Sequence, residues 1–261
     1  MPLNSKSVYC RPNPSFLPFA SRRAAVLNAT EPSSTGIGGD MFCLFYNTET
    51  KTIRAMDGSG RYPGNATLEQ IKMDLNVGLD QTESIPKTRA LAVTTPGAAA
   101  GWVDTVERFG SGMLSLEQIL APAIELAEEG FPVSGLSSSF ASNRLDTDWR
   151  DHEHLRSASP NSKELLKVDP SFKDGVRGPS AGKIMKNLTL AQTFRALAAD
   201  GKKGFYKGRV VEELLKVIQD LGGYLSLDGL KFHVETSTLM LQFKGQEVYK
   251  KQAPGTNNST N

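Results

Sequence analysis

Apolar and polar positions alternate in blocks that read as a short hairpin, a helical middle and a second hairpin near the end. Met41 to Tyr46 is almost wholly apolar, as in a strand buried on both faces. Asn47 to Thr50 supplies a turn, Lys51 to Met56 the return strand, and Asp57-Gly-Ser-Gly-Arg61 closes the hairpin with a loop. Beyond Thr95-Pro96-Gly97, apolar residues at Ala99, Trp102, Val103 and Val106 have helical spacing, ended by Phe109 and Gly110. The next helix is better marked. Ser115 with Gln118 makes a capping box, Leu116, Ile119, Leu120, Ala123, Ile124 and Ala127 trace one face, and Gly130 stops the run. Pro122 predicts a kink or a split in it.

Residues 134–182 are polar and read as irregular with short ordered pieces. Two more helices follow. Thr189 and Gln192 cap a run through Leu190, Phe194 and Leu197, and Val210, Val211, Leu214, Leu215, Ile218 and Leu221 line the other, which ends at Gly222-Gly223. Ser237 to Phe243 and Gln246 to Tyr249 read as a second hairpin around Lys244-Gly245. Pro12, Pro14 and Pro18 make 1–23 an irregular segment, 24–252 a single domain, and 253–261 a disordered polar tail. Hairpins outside and helices in the middle give an α+β or layered α/β chain, not a strict βαβ alternation.

Composition narrows the function. The 261 residues carry 30 Lys and Arg against 28 Asp and Glu, a net charge of +2, too balanced to point to nucleic acid or an anionic membrane. No apolar run reaches the ~18 residues of a membrane span. The N-terminus lacks an apolar signal-peptide core, which makes the cytoplasm the default compartment. The two cysteines, Cys10 and Cys43, have no spacing that argues for a disulfide.

The common catalytic motifs are missing. Gly36-Ile-Gly-Gly39 lacks the Lys-Ser/Thr ending of a phosphate loop, and a strand rather than a helix follows it. No Gly-x-Ser-x-Gly elbow is present. His152 and His154 flank Glu153 in a polar stretch with no further Cys or His nearby, short of the three or four ligands zinc requires, and His233 reads as structural. Neither a metal nor a cofactor is implied.

Several phrases together carry a resemblance. Glu31-Pro-Ser-Ser-Thr-Gly-Ile-Gly-Gly-Asp-Met-Phe42, Thr95-Pro-Gly-Ala-Ala-Ala-Gly-Trp102, Leu120-Ala-Pro-Ala-Ile-Glu-Leu-Ala-Glu-Glu-Gly-Phe131, Gly204-Phe-Tyr-Lys-Gly208 and Gly222-Gly-Tyr-Leu-Ser-Leu-Asp-Gly-Leu230 occur in this order. Together with the strand pair around Lys244-Gly-Gln-Glu-Val248, they resemble the γ-glutamyltranspeptidase family over about residues 24–252. The resemblance implies a layered αββα fold of the N-terminal-nucleophile hydrolase type, here incomplete, with the large-subunit part only. It implies a precursor that cuts itself before a threonine, whose freed amino group then serves as base for attack on a γ-glutamyl amide such as glutathione. The acyl group passes to water or to an amino acid.

The family's Thr-Thr-His segment lies beyond the final hairpin, and the residues Thr256-Asn-Asn-Ser-Thr260 do not resemble it. Thr94 and Thr95 precede Pro96 in mid-chain and read as structural. The chain is therefore expected to stop short of the nucleophile, to contain no catalytic residue, and to be inactive alone or to pair with a small-subunit chain. In glutathione-cleaving members an arginine in the loop after the first hairpin grips the substrate carboxylate. Here Ser59 falls at that position and Arg61 two residues later, so both are candidate substrate-binding residues for a γ-glutamyl or related acidic amide. The strand and helix that family members place before the Gly-Ile-Gly-Gly turn look deleted or scrambled, which would leave the apolar faces of Met41 to Tyr46 partly bare. The alternative is a non-catalytic binding module, one that keeps a small-acid pocket or pairs with a full-length paralogue.

Overall fold

The computed structural model describes residues 8–10, 17–32, 35–47, 49–78, 84–86, 89–139, 160–171, 175–230 and 239–244. Four strands form the main sheet: β1 (Val8–Cys10), β2 (Met41–Asn47), β3 (Thr52–Gly58) and a distant β8 (Leu239–Lys244), in the order β1-β2-β3-β8. β1 runs parallel to β2, while β2–β3 and β3–β8 are antiparallel. Short pairs join β4 (Phe131–Pro132) to β7 (Ile184–Met185), and β5 (Lys167–Val168) to β6 (Val176–Arg177). The longer helices are α1 (Leu17–Thr30), α3 (Ala98–Phe109), α4 (Leu116–Glu129), α6 (Leu188–Asp200) and α8 (Arg209–Asp220). Shorter ones are α2 (Leu68–Asp74), α5 (Gly135–Ser139) and α7 (Lys202–Tyr206). The chain is thus a mixed α/β fold.

Two cores follow from the patterns. α4 packs against α1 and α6. Ile119, Leu120, Ala123, Ile124 and Ala127 are buried on one side of α4, and Ala191, Phe194 and Leu197 on α6. Full burial of a side chain such as Phe194 contributes about 2–3 kcal/mol. A smaller core, Cys43, Met56 and Phe109 with Met41 and Phe45 against it, glues α3 to one face of the β2–β3 hairpin. There Phe45 stacks on Phe109 at 4.8 Å between ring centres. Gly101 permits the close approach, since a Cβ there would lie 2.6 Å from Met41 Cε.

The structure corrects several expectations. The strand and helix thought lost are both present ahead of the Gly-Ile-Gly-Gly turn, as β1 and α1, and α1 includes residues 17–23. Pro12 and Pro14 fall between them, and Pro18 is the second residue of α1, where a missing N–H removes no helical hydrogen bond. α1 escaped notice because the side it buries is small and partly polar: Ser21, Ala25, Asn28 and Ala29. β2 is correspondingly less bare than anticipated, with α3 on one face and β1 at its edge.

α4 is not split at Pro122. The residues it buries lie on both sides of the proline, and that packing offsets the ~3 kcal/mol a mid-helix proline costs. The capping box of Ser115 and Gln118 forms with both of its bonds. In α6 the cap is Asn187, whose Oδ1 accepts from the Leu190 amide at 3.0 Å, rather than Thr189.

β8 pairs with β3, so this strand extends the first hairpin. Its expected partner Gln246 to Tyr249, the tail, His152, His154 and His233 lie outside the described residues. The register sets Cys10 beside Phe45 and Cys43 beside Val8, and Cys43 is buried.

Candidate active site

The antiparallel register that sets Met41 opposite Gly58 brings the entry to β2 and the exit from β3 to the same end of the sheet. The segment before α3 arrives there too, and three stretches, 36–40, 57–61 and 94–97, are tied together by their backbones. The Gly39 carbonyl accepts from the amides of Gly97 (3.1 Å) and Ala98 (2.9 Å), and the Arg61 carbonyl accepts from the Thr95 amide (2.9 Å). The Gly60 amide donates to Asp40 Oδ1 at 2.7 Å.

Glycine is required twice for closeness alone. A Cβ on Gly97 would stand 1.9 Å from the Gly58 carbonyl oxygen, and one on Gly60 would stand 1.9 Å from that of Thr95.

From the other side Tyr206 holds this junction. Its hydroxyl donates to the Pro96 carbonyl at 2.5 Å and accepts from the Ala100 amide at 3.1 Å. Gly97 at the N-cap of α3 has no side chain with which to cap, so a tyrosine far along the chain satisfies one of the helix's orphan amides. Burial pushes the Tyr206 hydroxyl well above the ordinary tyrosine range, so it remains protonated and a donor. One helical turn further on, Lys202 Nζ meets Asp104 at 2.6 Å, with the Asp104 side chain 3% exposed. α7 thus carries two polar ties to α3, one at its first turn and one at its middle. Nearer the rim, the Tyr62 hydroxyl donates to the Leu91 carbonyl at 2.7 Å, and burial raises its pKa.

The two sequence-proposed binding residues share the 57–61 stretch. Arg61 is exposed, its main chain pinned by Thr95. Ser59 is half-buried, and both its amide (2.9 Å) and its hydroxyl (2.6 Å) donate to Asp57 Oδ1. With its proton given to Asp57, the Ser59 hydroxyl offers lone pairs rather than a donor to a ligand. Thr95 is buried, with its amide used in the junction, as a structural threonine would be.

Sequence reasoning missed Asp40, Asp57 and Tyr206. Asp40 ends the Gly-Ile-Gly-Gly turn, and that adjacency was the available signal; nothing local marks Tyr206. Among the described residues no group of three or more His, Cys, Asp or Glu is placed to hold a metal. Nor is any helix among them long and apolar enough to cross a membrane.

Comparison with known proteins follows the same lines. A family model described as Gamma-glutamyltranspeptidase matches residues 23–258. A glutathione hydrolase-like YwrD proenzyme of Bacillus subtilis is 28% identical over 88% of this chain and 40% of its own length. An oxamate amidohydrolase proenzyme of Klebsiella pneumoniae is 30% identical over 80% of this chain and 36% of its own. The chain therefore spans about two fifths or less of these curated relatives. Among solved structures, a cephalosporin acylase from Bacillus halodurans superposes with TM-score 0.69 at 26% identity, covering 87% of this chain and 39% of that one. The γ-glutamyltranspeptidase of Helicobacter pylori gives TM-score 0.65 at 24% identity, over 87% of this chain and 58% of that one, a likeness of fold.

Proposed function

Because the chain belongs to the gamma-glutamyltranspeptidase family, we propose that these residues form the substrate-positioning half of an amide hydrolase or acyltransferase whose nucleophile lies outside them. The main sheet would be the first of two in an αββα arrangement. α3 lies on one face, and a second sheet would take the other, where Leu44 and Tyr46 are half-buried and Ile53 is 38% exposed. That second layer would bring an amino-terminal threonine, from the same precursor or from a small-subunit partner. A threonine hydroxyl is a weak nucleophile, and a free α-amino group, with an ordinary pKa near ~8, is a suitable base beside it. Backbone amides would then stabilise the oxyanion.

The observation that carries this reading is the placement of Arg61 on a fixed loop at the rim of the sheet, next to the junction of all three stretches. A planar guanidinium binds a carboxylate in two parallel hydrogen bonds, which fixes the acid end of a small substrate and leaves its amide to the nucleophile. The substrate class is a γ-glutamyl or related acidic amide. The names of the relatives, glutathione hydrolase-like and oxamate amidohydrolase, refer to amides that also carry a carboxylate. The Ser59 hydroxyl, turned to Asp57, serves better as an acceptor beside the acid than as its ligand.

The loop is built without any nucleophile, which also suits a non-catalytic module that binds small acids. In both readings glutamate binds the chain through Arg61. Titration of the 261-residue protein with glutamate, followed by amide chemical shifts, is expected to move resonances of the 57–61 stretch. Arg61→Ala is expected to weaken that binding by about tenfold or more, the loss of one charge-assisted pair. Equal affinity in the two proteins would remove Arg61 from the site.

A further inference from the structure

We infer that Asp40 is a positioning residue for the Arg61 loop, and that its role is to hold the Gly60 amide so that the guanidinium one residue later is already aimed before a ligand arrives. The inference rests on the reading of Arg61 as the carboxylate ligand and assigns a role to the last residue of the Gly-Ile-Gly-Gly-Asp motif, which the chemistry has so far left unused.

Besides the local bonds of Ser59 to Asp57, three contacts tie the loop from Gly58 to Arg61 to the neighbouring stretches. The Thr95 amide holds the Arg61 carbonyl at 2.9 Å. The α-carbon of Gly60 lies against the Thr95 carbonyl so closely that no Cβ fits. Asp40 Oδ1 takes the Gly60 amide at 2.7 Å, from 20 residues earlier in the chain. The first two come from backbone and follow wherever the 94–97 stretch goes. The third is the only one of the three made by a side chain, and the only one that joins the loop to the 36–40 turn.

That turn is itself fastened to the start of α3, since Gly39 accepts from Gly97 and Ala98. Asp40 therefore closes a ring: turn to loop, loop to Thr95, and the head of α3 back to the turn. A carboxylate accepting from an amide makes a charge-assisted bond, stronger and shorter than a neutral one. Asp40 is exposed, so its removal empties no core. What is lost is order in a loop that the ligand must otherwise fix at its own expense.

The test uses Asp40→Ala, Asp40→Asn and Arg61→Ala in the full 261-residue chain, with hydrogen exchange at the Gly60 amide and glutamate titration as readouts. Asparagine keeps a side-chain oxygen in the same place, so it separates a bond from a charge. In Asp40→Ala the Gly60 amide is expected to exchange at least about tenfold faster and glutamate to bind about tenfold more weakly, with the melting temperature nearly unchanged. Asp40→Asn is expected to recover most of both. A merely structural residue would lower the melting temperature without a selective loss of ligand. Unchanged exchange at Gly60 in Asp40→Ala, or an asparagine variant no better than the alanine one, overturns the inference while Arg61-dependent binding in the wild type keeps the site. Glutamate binding that ignores Arg61 overturns both.

Discussion

Replacing Lys202 by methionine is expected to destabilise the chain by about 3–5 kcal/mol, because the Asp104 carboxylate stays buried without the ammonium that meets it. The two atoms are 2.6 Å apart, and the side chains are 13% and 3% exposed. At such burial the pair itself adds little, since desolvating two ions offsets most of their attraction, but removing one member leaves the other a buried charge short of its counter-ion. The double replacement Lys202→Met with Asp104→Leu is expected to cost markedly less than either single change, although the two side chains differ in shape from those they replace. Free energies from urea denaturation of the four proteins give the comparison. A single Lys202→Met cost below about 1 kcal/mol would show that water reaches Asp104 and that the α3–α7 contact is not sealed.

Gly97→Ala is the second large effect, and its cause is steric alone. Gly97 has φ −99°, which alanine adopts freely, so no conformational strain enters. The added methyl would stand 1.9 Å from the Gly58 carbonyl oxygen, a backbone atom with no rotamer to yield. Relief requires the head of α3 to move off the hairpin by more than an ångström, about the shortfall from normal contact. That movement would strain the two bonds Gly39 accepts from Gly97 and Ala98. Overpacking of this kind costs about 1–3 kcal/mol, and here more, because backbone meets backbone. Loss of glutamate binding is expected along with stability, since 36–40, 57–61 and 94–97 all meet at this point. Crystallographic or amide-shift comparison with the wild type would locate the displacement. An alanine variant with unchanged shifts at Gly39, Gly58 and Gly60 would contradict the packing described.

How much of this was legible beforehand depended on distance along the chain. The β2–β3 hairpin and α4 announced themselves, because alternation, a turn and a capping box are local signals, and they were placed to within a residue or two. α1 is hidden by its own chemistry: a stripe of Ser21, Ala25 and Ala29 is buried where the helix packs on its neighbours α4 and α3, but has no hydrophobic contrast to read. β8 is legible as a strand, but its pairing with β3 is a long-range contact for which the local sequence holds no code. The site divides the same way. The loop bearing Ser59 and Arg61 was found by its glycines and by family resemblance. The groups that hold it, Asp40 to Gly60 and Tyr206 to Pro96, are 20 and 110 positions apart and emerge only once the chain is folded.

The central claim is that these residues position a substrate and leave the attack on its amide to a group that they do not contain. The direct measurement is release of the chromophore from a γ-glutamyl anilide by the purified 261-residue chain, read against buffer alone. The account predicts no turnover above the uncatalysed rate. Steady catalytic release that purifies with the intact chain would contradict it.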